Sequence, residues 1–356
     1  MKALIGMSGG VDSSVAALLM MEAGYECIGA TMRLYDGQAA PTQEGKSCCS
    51  LDDVEDARSV AHRLGIRHYV FNFTQEFQCQ VMDRFAQTYY QGGTPNPCID
   101  CNRYLKFGKL LQRSRELGCD TLVSGHYARV ERDKATGRYL LKRAADRAKD
   151  QTYFLACLTQ EQLKYIQFPL GDLTKTQVRQ LAQEHGFLNA RKHDSQDICF
   201  VPGGDYTAFL TAYTGKPLEP GDYVNLNGEK VGRHRGAVCY TIGQRKGLGL
   251  AMGEPVYVCG KNMASGTVTV GPNEALFSRE LVAKDWVFFP FQELRSPMAV
   301  TAKIRHSQFD KPATVYPEEN GLARVVFEEP QRAISPGQAV VLYQGDTVLG
   351  GGTIVR

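Results

Sequence analysis

Two groups of residues in this chain have the types and spacing to do chemistry. One is Ser8-Gly9-Gly10-Val11-Asp12-Ser13; the other is Cys98-x-x-Cys101, with Cys199 almost a hundred residues later. Adjacent glycines let a backbone approach a ligand closely and turn its N–H groups inward together. A helix opening at Val11 adds unpaired N–H groups and the positive end of its dipole, and Ser8, Ser13 and Ser14 add hydroxyl donors. The result is an anion cradle suited to phosphate. An ordinary strand-to-helix turn also favours glycine and serine, but the ordered string after a first strand points to phosphate. The cysteines admit three readings: core fillers, ligands of zinc or an iron–sulfur cluster, or a sulfur-transfer pair in which one thiol carries a persulfide and another resolves it.

The elements that must position these groups follow from periodicity. Ala3 to Met7 reads as a strand, and Val11, Val15, Ala16, Leu18 and Leu19 recur at helical spacing until Gly24. Cys27 to Leu34 is a second strand, Val54 to Leu64 an amphipathic helix, His68 to Phe73 a third strand and Gln75 to Tyr90 a helix. This alternation predicts an α/β doubly wound parallel sheet with its ligand at the carboxyl ends of the strands. Between these elements lie a polar stretch, Gln38 to Ser47, and the vicinal pair Cys48-Cys49.

Pro95 and Pro97 are expected to forbid helix and stiffen the loop that presents Cys98 and Cys101. A helix bearing Leu105, Phe107, Leu110 and Leu111 comes next, and a helix start near Cys101 would favour its thiolate. Asp120 to Gly125 is a fourth strand ending beside His126, Tyr127 to Arg143 a hairpin inserted in the α/β pattern, and Lys149-Asp150-Gln151 opens another helix. Lys175 to Glu184 is helical, Asp194 to Phe200 comes after it, and Pro202-Gly203-Gly204 breaks the chain.

Beyond Gly215 the pattern becomes all-β, with a hairpin at Asn227-Gly228 and short strands at Ala237 to Ile242, Pro255 to Cys259 and Thr267 to Val270. Later runs, such as Ala299 to Ile304, Ala323 to Phe327, Ala339 to Tyr343 and Thr347 to Val355, suggest a small barrel. The expected division is a nucleotide-binding catalytic domain over 1–205, a small mainly-β central domain over 206–275 and a C-terminal β-barrel over 276–356.

The chain has 356 residues, 43% hydrophobic and 22% charged, which suits a globular protein of two or three domains. A net charge of +3 permits a nucleic-acid partner without requiring one. The longest apolar run, Val15 to Met21, is too short to cross a bilayer, and the strand after Lys2 leaves no room for a signal peptide, so the expectation is a cytoplasmic protein with no membrane partner. Eleven cysteines, scattered and odd in number, do not look like a secreted disulfide framework.

Ser8 to Ser13 resembles the PP-loop of the ATP pyrophosphatases, which cleave ATP to AMP and pyrophosphate while adenylating a carbonyl oxygen. Together with Thr94 to Asn102, Asp194 to Phe200, Gly243 to Gly249, Arg305-His306 and Pro336 to Ala339, it resembles the tRNA-specific 2-thiouridylase family over essentially the whole chain. That resemblance implies thiolation at C2 of the wobble uridine, position 34, of tRNAs for Lys, Glu and Gln. It implies ATP held by Gly6, Met7, Ser8, Gly9, Gly10, Val11, Asp12, Ser13, Met32 and Gly125, with Mg²⁺ near Asp12. It further implies a persulfide on Cys199 and Cys101 as partner nucleophile, ending as a Cys101–Cys199 disulfide. The target base would meet Asn96, Pro97 and Cys98. RNA would be touched by His126, Lys149, Asp150, Gln151, Arg305, His306 and Gln338, and the sulfur would come from a relay protein or a cysteine desulfurase.

One departure stands out. An aspartate often sits at the position of Cys98 in this family, and a cysteine there completes a set of three, which raises the alternative of a [4Fe–4S] cluster on Cys98, Cys101 and Cys199. Two further alternatives are a PP-loop synthetase adenylating a small metabolite, which would give the three cysteines no purpose, and a non-catalytic, redox-sensing RNA-binding protein. Basic clusters at Arg233-His234-Arg235, Arg245-Lys246 and Lys303-x-Arg305 suit phosphate contacts, although each taken alone also fits solvated surface.

Overall fold

The computed structural model describes residues 1–35, 51–192 and 198–356. The expectations for Gln38 to Ser47, Cys48-Cys49 and Asp194 to Asp197 lie outside the described residues. Strands β1 (Lys2–Gly6), β2 (Glu26–Arg33), β3 (Arg67–Asn72), β4 (Thr121–Ser124) and β7 (Ile166–Gln167) form a parallel sheet in the order β3-β2-β1-β4-β7. Register fixes the loop: Ile5 lies between Gly29 and Val123, so the chain leaves β1 for helix α1 (Val11–Glu22) at the carboxyl edge of the sheet's centre. Alternate residues of one strand face opposite ways. Leu4 packs into one core with Ile28 and Leu122, while Ala3 and Ile5 pack into a second with Val15, Val60 and Val178. Both faces of the sheet are therefore dry, as a doubly wound fold requires.

The chain over 74–90 is a continuous helix containing a π-helical turn, Gln78–Met82, and the chain over 97–116 is another, with a π-helical stretch at Cys101–Lys109. The second helix corrects a reading from sequence. Pro97 does not forbid helix; it opens one at the first helical position, where the missing N–H has no partner to lose. Cys98 thus lies in the first turn, and Cys101 is a turn further in rather than at the start.

A middle module, β8 (Gly221–Val224), β9 (Lys230–His234), β10 (Tyr257–Asn262) and β11 (Thr267–Gly271), pairs in the order β10-β11-β8-β9. The expected strand at Ala237 to Ile242 is not one: Ala237–Cys239 forms a buried 3-10 turn, since a short apolar run does not by its composition distinguish a strand from a buried turn. The last module is a closed six-stranded barrel of β12 (Phe277–Phe288), β13 (Met298–Lys303), β14 (Lys311–Pro317), β15 (Ala323–Arg332), β16 (Ala339–Gln344) and β17 (Thr347–Ile354), sealed by β12 against β17.

The hairpin β5 (Ala128–Arg132) and β6 (Tyr139–Arg143) interrupts the α/β order in sequence but joins the barrel in space. Lys142 pairs with Thr347, and the Arg138 guanidinium donates to the carbonyls of Phe288, Phe289 and Phe291 at 3.1, 2.6 and 3.0 Å. One core consequently runs from Leu4 through Tyr223 of the middle module to Val341 and Tyr343 of the barrel.

Phe85 sits at a joint of that core, fully buried, with Tyr89, Phe200 and Phe209 at ring-centroid distances of 5.0, 5.1 and 5.8 Å. Phe85→Ala is expected to lower unfolding free energy by about 3–5 kcal/mol, read as a shift in denaturant midpoint.

Candidate functional site: a nucleotide cradle and two cysteines

The loop after β1 is shaped by backbone crowding. Gly9 has φ +71°, and a Cβ there would stand 2.4 Å from the Asp53 carbonyl oxygen of helix α2 (Leu51–Arg63). Gly125, past the end of β4, passes the first turn of α1 so closely that a Cβ would lie 2.7 Å from the Ser13 nitrogen. Gly6 ends β1, and Met7 is held to β2: its N–H donates to the Ala30 carbonyl, and its own carbonyl accepts from the Thr31 hydroxyl, both at 2.8 Å. No side chain caps α1 at Gly10, which leaves its first-turn N–H groups for an anion.

The serines differ from one another. Ser8 is exposed, but Ser13 and Ser14 are buried and donate to the Gly10 carbonyl at 3.0 and 3.1 Å, and Ser13 Oγ also accepts from the Ser8 N–H. Their hydroxyls shape the loop from within instead of facing out of it. Val11 is buried behind the loop, and Met32 is half-buried against the first core near the end of β2.

Asp12 is held on two sides. Lys175 Nζ lies 2.7 Å from both carboxylate oxygens, and the Tyr127 hydroxyl donates to Oδ1 at 2.8 Å. Lys175 reaches it from the start of the helix Lys175–Glu184, which Thr174 and Gln177 close with a reciprocal capping box. Asn189 donates to the Gly9 carbonyl at 3.0 Å and to Ser14 Oγ at 2.9 Å, and Lys192 bridges Asp53 and Asp56 at 2.7 and 2.5 Å. The sequence reading missed Lys175, Tyr127, Asn189 and Lys192 as parts of the site. Only the capping-box signature hinted at the first.

Cys199 lies at the same edge of the sheet. Tyr35, just past β2, donates from its hydroxyl to the Cys199 carbonyl at 3.3 Å. The residue after Cys199, Phe200, packs on Phe77 and Phe85 of the 74–90 helix, while the residue before Cys101, Asp100, faces Arg84 of that helix at 3.6 Å. Both half-buried cysteines therefore border one helix and pack on one core. Cys98 is exposed. Burial pushes the Asp100 carboxyl up, against the opposing pull of Arg84 and Arg103.

Of the residues expected to touch RNA, several are engaged within the protein. His126 is buried between Phe107 and Phe168, its Nδ1 2.6 Å from Ser124 Oγ, and burial followed by the nearby Lys106 charge holds its pKa well below the usual imidazole value. Asp150 accepts from the Ala144 N–H and the Thr152 hydroxyl, and Gln151 accepts from the Tyr127 N–H. Arg305 donates to the Ala333 carbonyl at 2.6 Å. Gln338 donates to the carbonyls of Thr94 and Pro95 at 3.0 and 3.4 Å. Lys149 lines a cavity of about 580 Å³ with Lys175 and Arg179, and His306 is exposed. Asn96 caps the 97–116 helix through its backbone and, with Pro95, Ile99 and Arg103, lines a second cavity of about 380 Å³ between that helix and the barrel.

The cofactors fit unequally. Asp12 Oδ2 accepts one hydrogen bond and keeps a lone pair, so a magnesium ion carried on a triphosphate suits it. Among the described residues no three His, Cys, Asp or Glu side chains are gathered as metal ligands. The three cysteines thus do not form a cluster site in this conformation, and no step is derived through one. Among the described residues no helix is long and apolar enough to cross a membrane.

Comparison with known proteins gives three family matches in order: a tRNA methyl transferase HUP domain over residues 1–203, a tRNA methyl transferase PRC-barrel domain over 207–272 and an aminomethyltransferase β-barrel domain over 278–354. Curated relatives carry a different activity in their names. The chain is 48% identical over 355 residues to the tRNA-specific 2-thiouridylase MnmA of Clostridioides difficile, covering 100% of this chain and 98% of that one. It is 49% identical to that of Acetivibrio thermocellus, covering 99% of each, and 50% identical to that of Moorella thermoacetica, covering 99% and 98%. The full-length identities outweigh the methyl-transfer wording of the domain descriptions.

Two outcomes follow from the site's electrostatics. Removing the cation beside Asp12 in Lys175→Met leaves a carboxylate facing the bound triphosphate, so ATP affinity measured by calorimetry should fall on the order of tenfold, and adding Asp12→Asn should recover most of it. His68, His126, His234 and His306 are all held below the usual imidazole pKa of 6.5, chiefly by burial. The unfolded chain then binds protons first, so stability is greatest above pH 6.5 and falls as pH drops through and below it. Melting temperature should decline from pH 7.5 to about 5.5, less steeply in His126→Gln.

Proposed function

The chain belongs to the tRNA-specific 2-thiouridylase family, and from that membership we propose how its residues divide an ATP-dependent 2-thiolation of tRNA uridine. The enzyme is a tRNA sulfurtransferase that binds ATP through its PP-loop. The observation that carries the assignment of roles is the glycine loop at the carboxyl end of β1, uncapped at the start of α1, with the Cys199 backbone bonded to Tyr35 at the end of the neighbouring strand.

In this reading ATP phosphates rest on the N–H groups from Gly9 to Asp12 and on the Ser8 hydroxyl. Ser13 and Ser14 hold the loop's shape, and Met32 and Gly125 line the nucleotide. Lys175 neutralises Asp12, so that the carboxylate does not repel the phosphates. Mg²⁺ held by Asp12 would neutralise charge on the departing pyrophosphate. The C2 oxygen of the wobble uridine, position 34 in tRNAs for Lys, Glu and Gln, attacks the α-phosphorus, and pyrophosphate leaves. The terminal sulfur of a Cys199 persulfide then attacks C2, and AMP departs with the former oxygen. Cys101 thiolate attacks Cys199 Sγ, which breaks the sulfur–sulfur bond, frees the 2-thiouridine and leaves a Cys101–Cys199 disulfide. An external thiol reduces that disulfide, and a relay protein or cysteine desulfurase reloads Cys199, with the cytoplasm as the place of action.

Asn96 to Cys98, on the stiff start of the 97–116 helix, suit a base turned out of its stack. The identity to thiouridylases along the whole chain speaks against a small-metabolite synthetase and against a non-catalytic redox sensor. Cys199→Ser should abolish 2-thiouridine formation in a reconstituted reaction with ATP, Mg²⁺, a persulfide donor and unmodified tRNA while leaving ATP affinity unchanged. Nucleoside mass spectrometry reads the product, and thiouridine made at the normal rate by this variant would contradict the assignment.

A further inference from the structure

The barrel's turn between β15 and β16 is locked onto the segment that carries the cysteines. The Thr94 N–H donates to the Pro336 carbonyl at 2.7 Å, and Gln338 Nε2 answers with bonds to the carbonyls of Thr94 and Pro95 at 3.0 and 3.4 Å. On the same side chain Oε1 faces the Tyr153 hydroxyl at 3.4 Å. A primary amide has two donor hydrogens, and both are directed to these carbonyls, so little polar capacity is left on Gln338 for reading RNA.

The turn itself is pre-ordered. Arg305 donates to the Ala333 carbonyl and Ser335 Oγ, the Gly337 N–H donates to the Ile354 carbonyl, and the Ile354 N–H donates to the Gln338 carbonyl. At Gly337, φ is +87°, and a Cβ would stand 3.1 Å from both the nitrogen and the oxygen of Thr94 and 2.9 Å from Thr88 Cγ2.

A second seam grips the other end of the segment. Asn102, beside Cys101 and 2% exposed, donates to the Phe154 carbonyl at 3.1 Å, and the Phe154 ring lies 4.4 Å from that of His306 on the barrel. Between the seams the chain is a helix, which transmits displacement as a rigid body: Cys101 lies only about 6 Å along the axis from its start at Pro97.

We propose that Gln338 is a positioning residue for the thiolation reaction: it sets the register of the barrel against Thr94 and Pro95 and thereby holds Cys101 in place to attack Cys199, without itself binding RNA. This rests on the reading of Cys101 as the resolving thiol.

The test uses the full-length enzyme in two variants. Gln338→Glu replaces the donor with a third acceptor facing two carbonyls, and Gly337→Ala pushes the same seam apart through its backbone. Each is first checked for a cooperative thermal transition, and should the first variant not fold, the second carries the test. The expected result is a kcat lowered on the order of 10- to 100-fold with KM for tRNA held within about twofold. With no tRNA present, peptide mass spectrometry should show an altered rate of Cys101 alkylation by iodoacetamide while exposed Cys79 reacts as in the parent. A raised KM for tRNA with kcat intact, or Cys101 alkylation that does not move, overturns the proposal. A Cys101→Ser enzyme with full turnover would instead remove the resolving role of Cys101, an outcome distinguishable because the alkylation result in the Gln338 and Gly337 variants does not depend on turnover.

Discussion

The grip on Asp12 is the constraint on which the rest of the nucleotide site depends. A carboxylate inside an anion-binding loop is a liability, because it repels the ligand that the loop's N–H groups attract. Lys175, buried and in contact with both Asp12 oxygens, removes that liability, and Tyr127 adds a neutral hydrogen bond. The same contacts join three separate stretches of chain: the loop after β1, the residue next to His126 at the end of its turn, and the capped helix Lys175–Glu184. Asn189 and Lys192 continue this joining toward the chain that leads to Cys199. Neutralisation and anchoring are thus supplied by one set of side chains.

A second consequence concerns where catalytic precision comes from. The segment over 94–102 has few regular backbone partners in its own domain, yet it is bonded to the barrel at Pro336 and Gln338 and reached through Phe154 by His306. The β5–β6 hairpin reaches the other way, out of the nucleotide-binding part and onto β17. The modules interlock by exchanging elements, and a polar residue at this seam serves geometry even where its position suggests contact with RNA.

Much of this was legible in the sequence, for identifiable reasons. Val11 to Leu19 at helical spacing, the buried runs of β1, β2 and β4, and the Asn227-Gly228 turn encode their structures locally, so these elements appear where periodicity puts them. Pro97 misled because a proline breaks a helix interior but opens a helix at its first position, and the choice between the two is made by the residues beyond it. Ala237 to Ile242 misled because burial alone produces an apolar run. Lys175, Asn189 and Gln338 could not be assigned from the sequence: each acts on a partner 163, 180 and 244 residues away, and nothing in the neighbouring residues records such a pairing.

The account stands on ATP-driven activation and a pair of cysteines acting in one cycle. The most direct measurement is a single turnover with persulfidated enzyme, ATP and unmodified tRNA, quenched by acid and analysed by peptide and nucleoside mass spectrometry together. The account predicts a Cys101–Cys199 disulfide-linked peptide that rises in step with 2-thiouridine and is absent without ATP or without tRNA. Thiouridine accumulating with both thiols unlinked, or the disulfide forming equally in the absence of ATP, would contradict it.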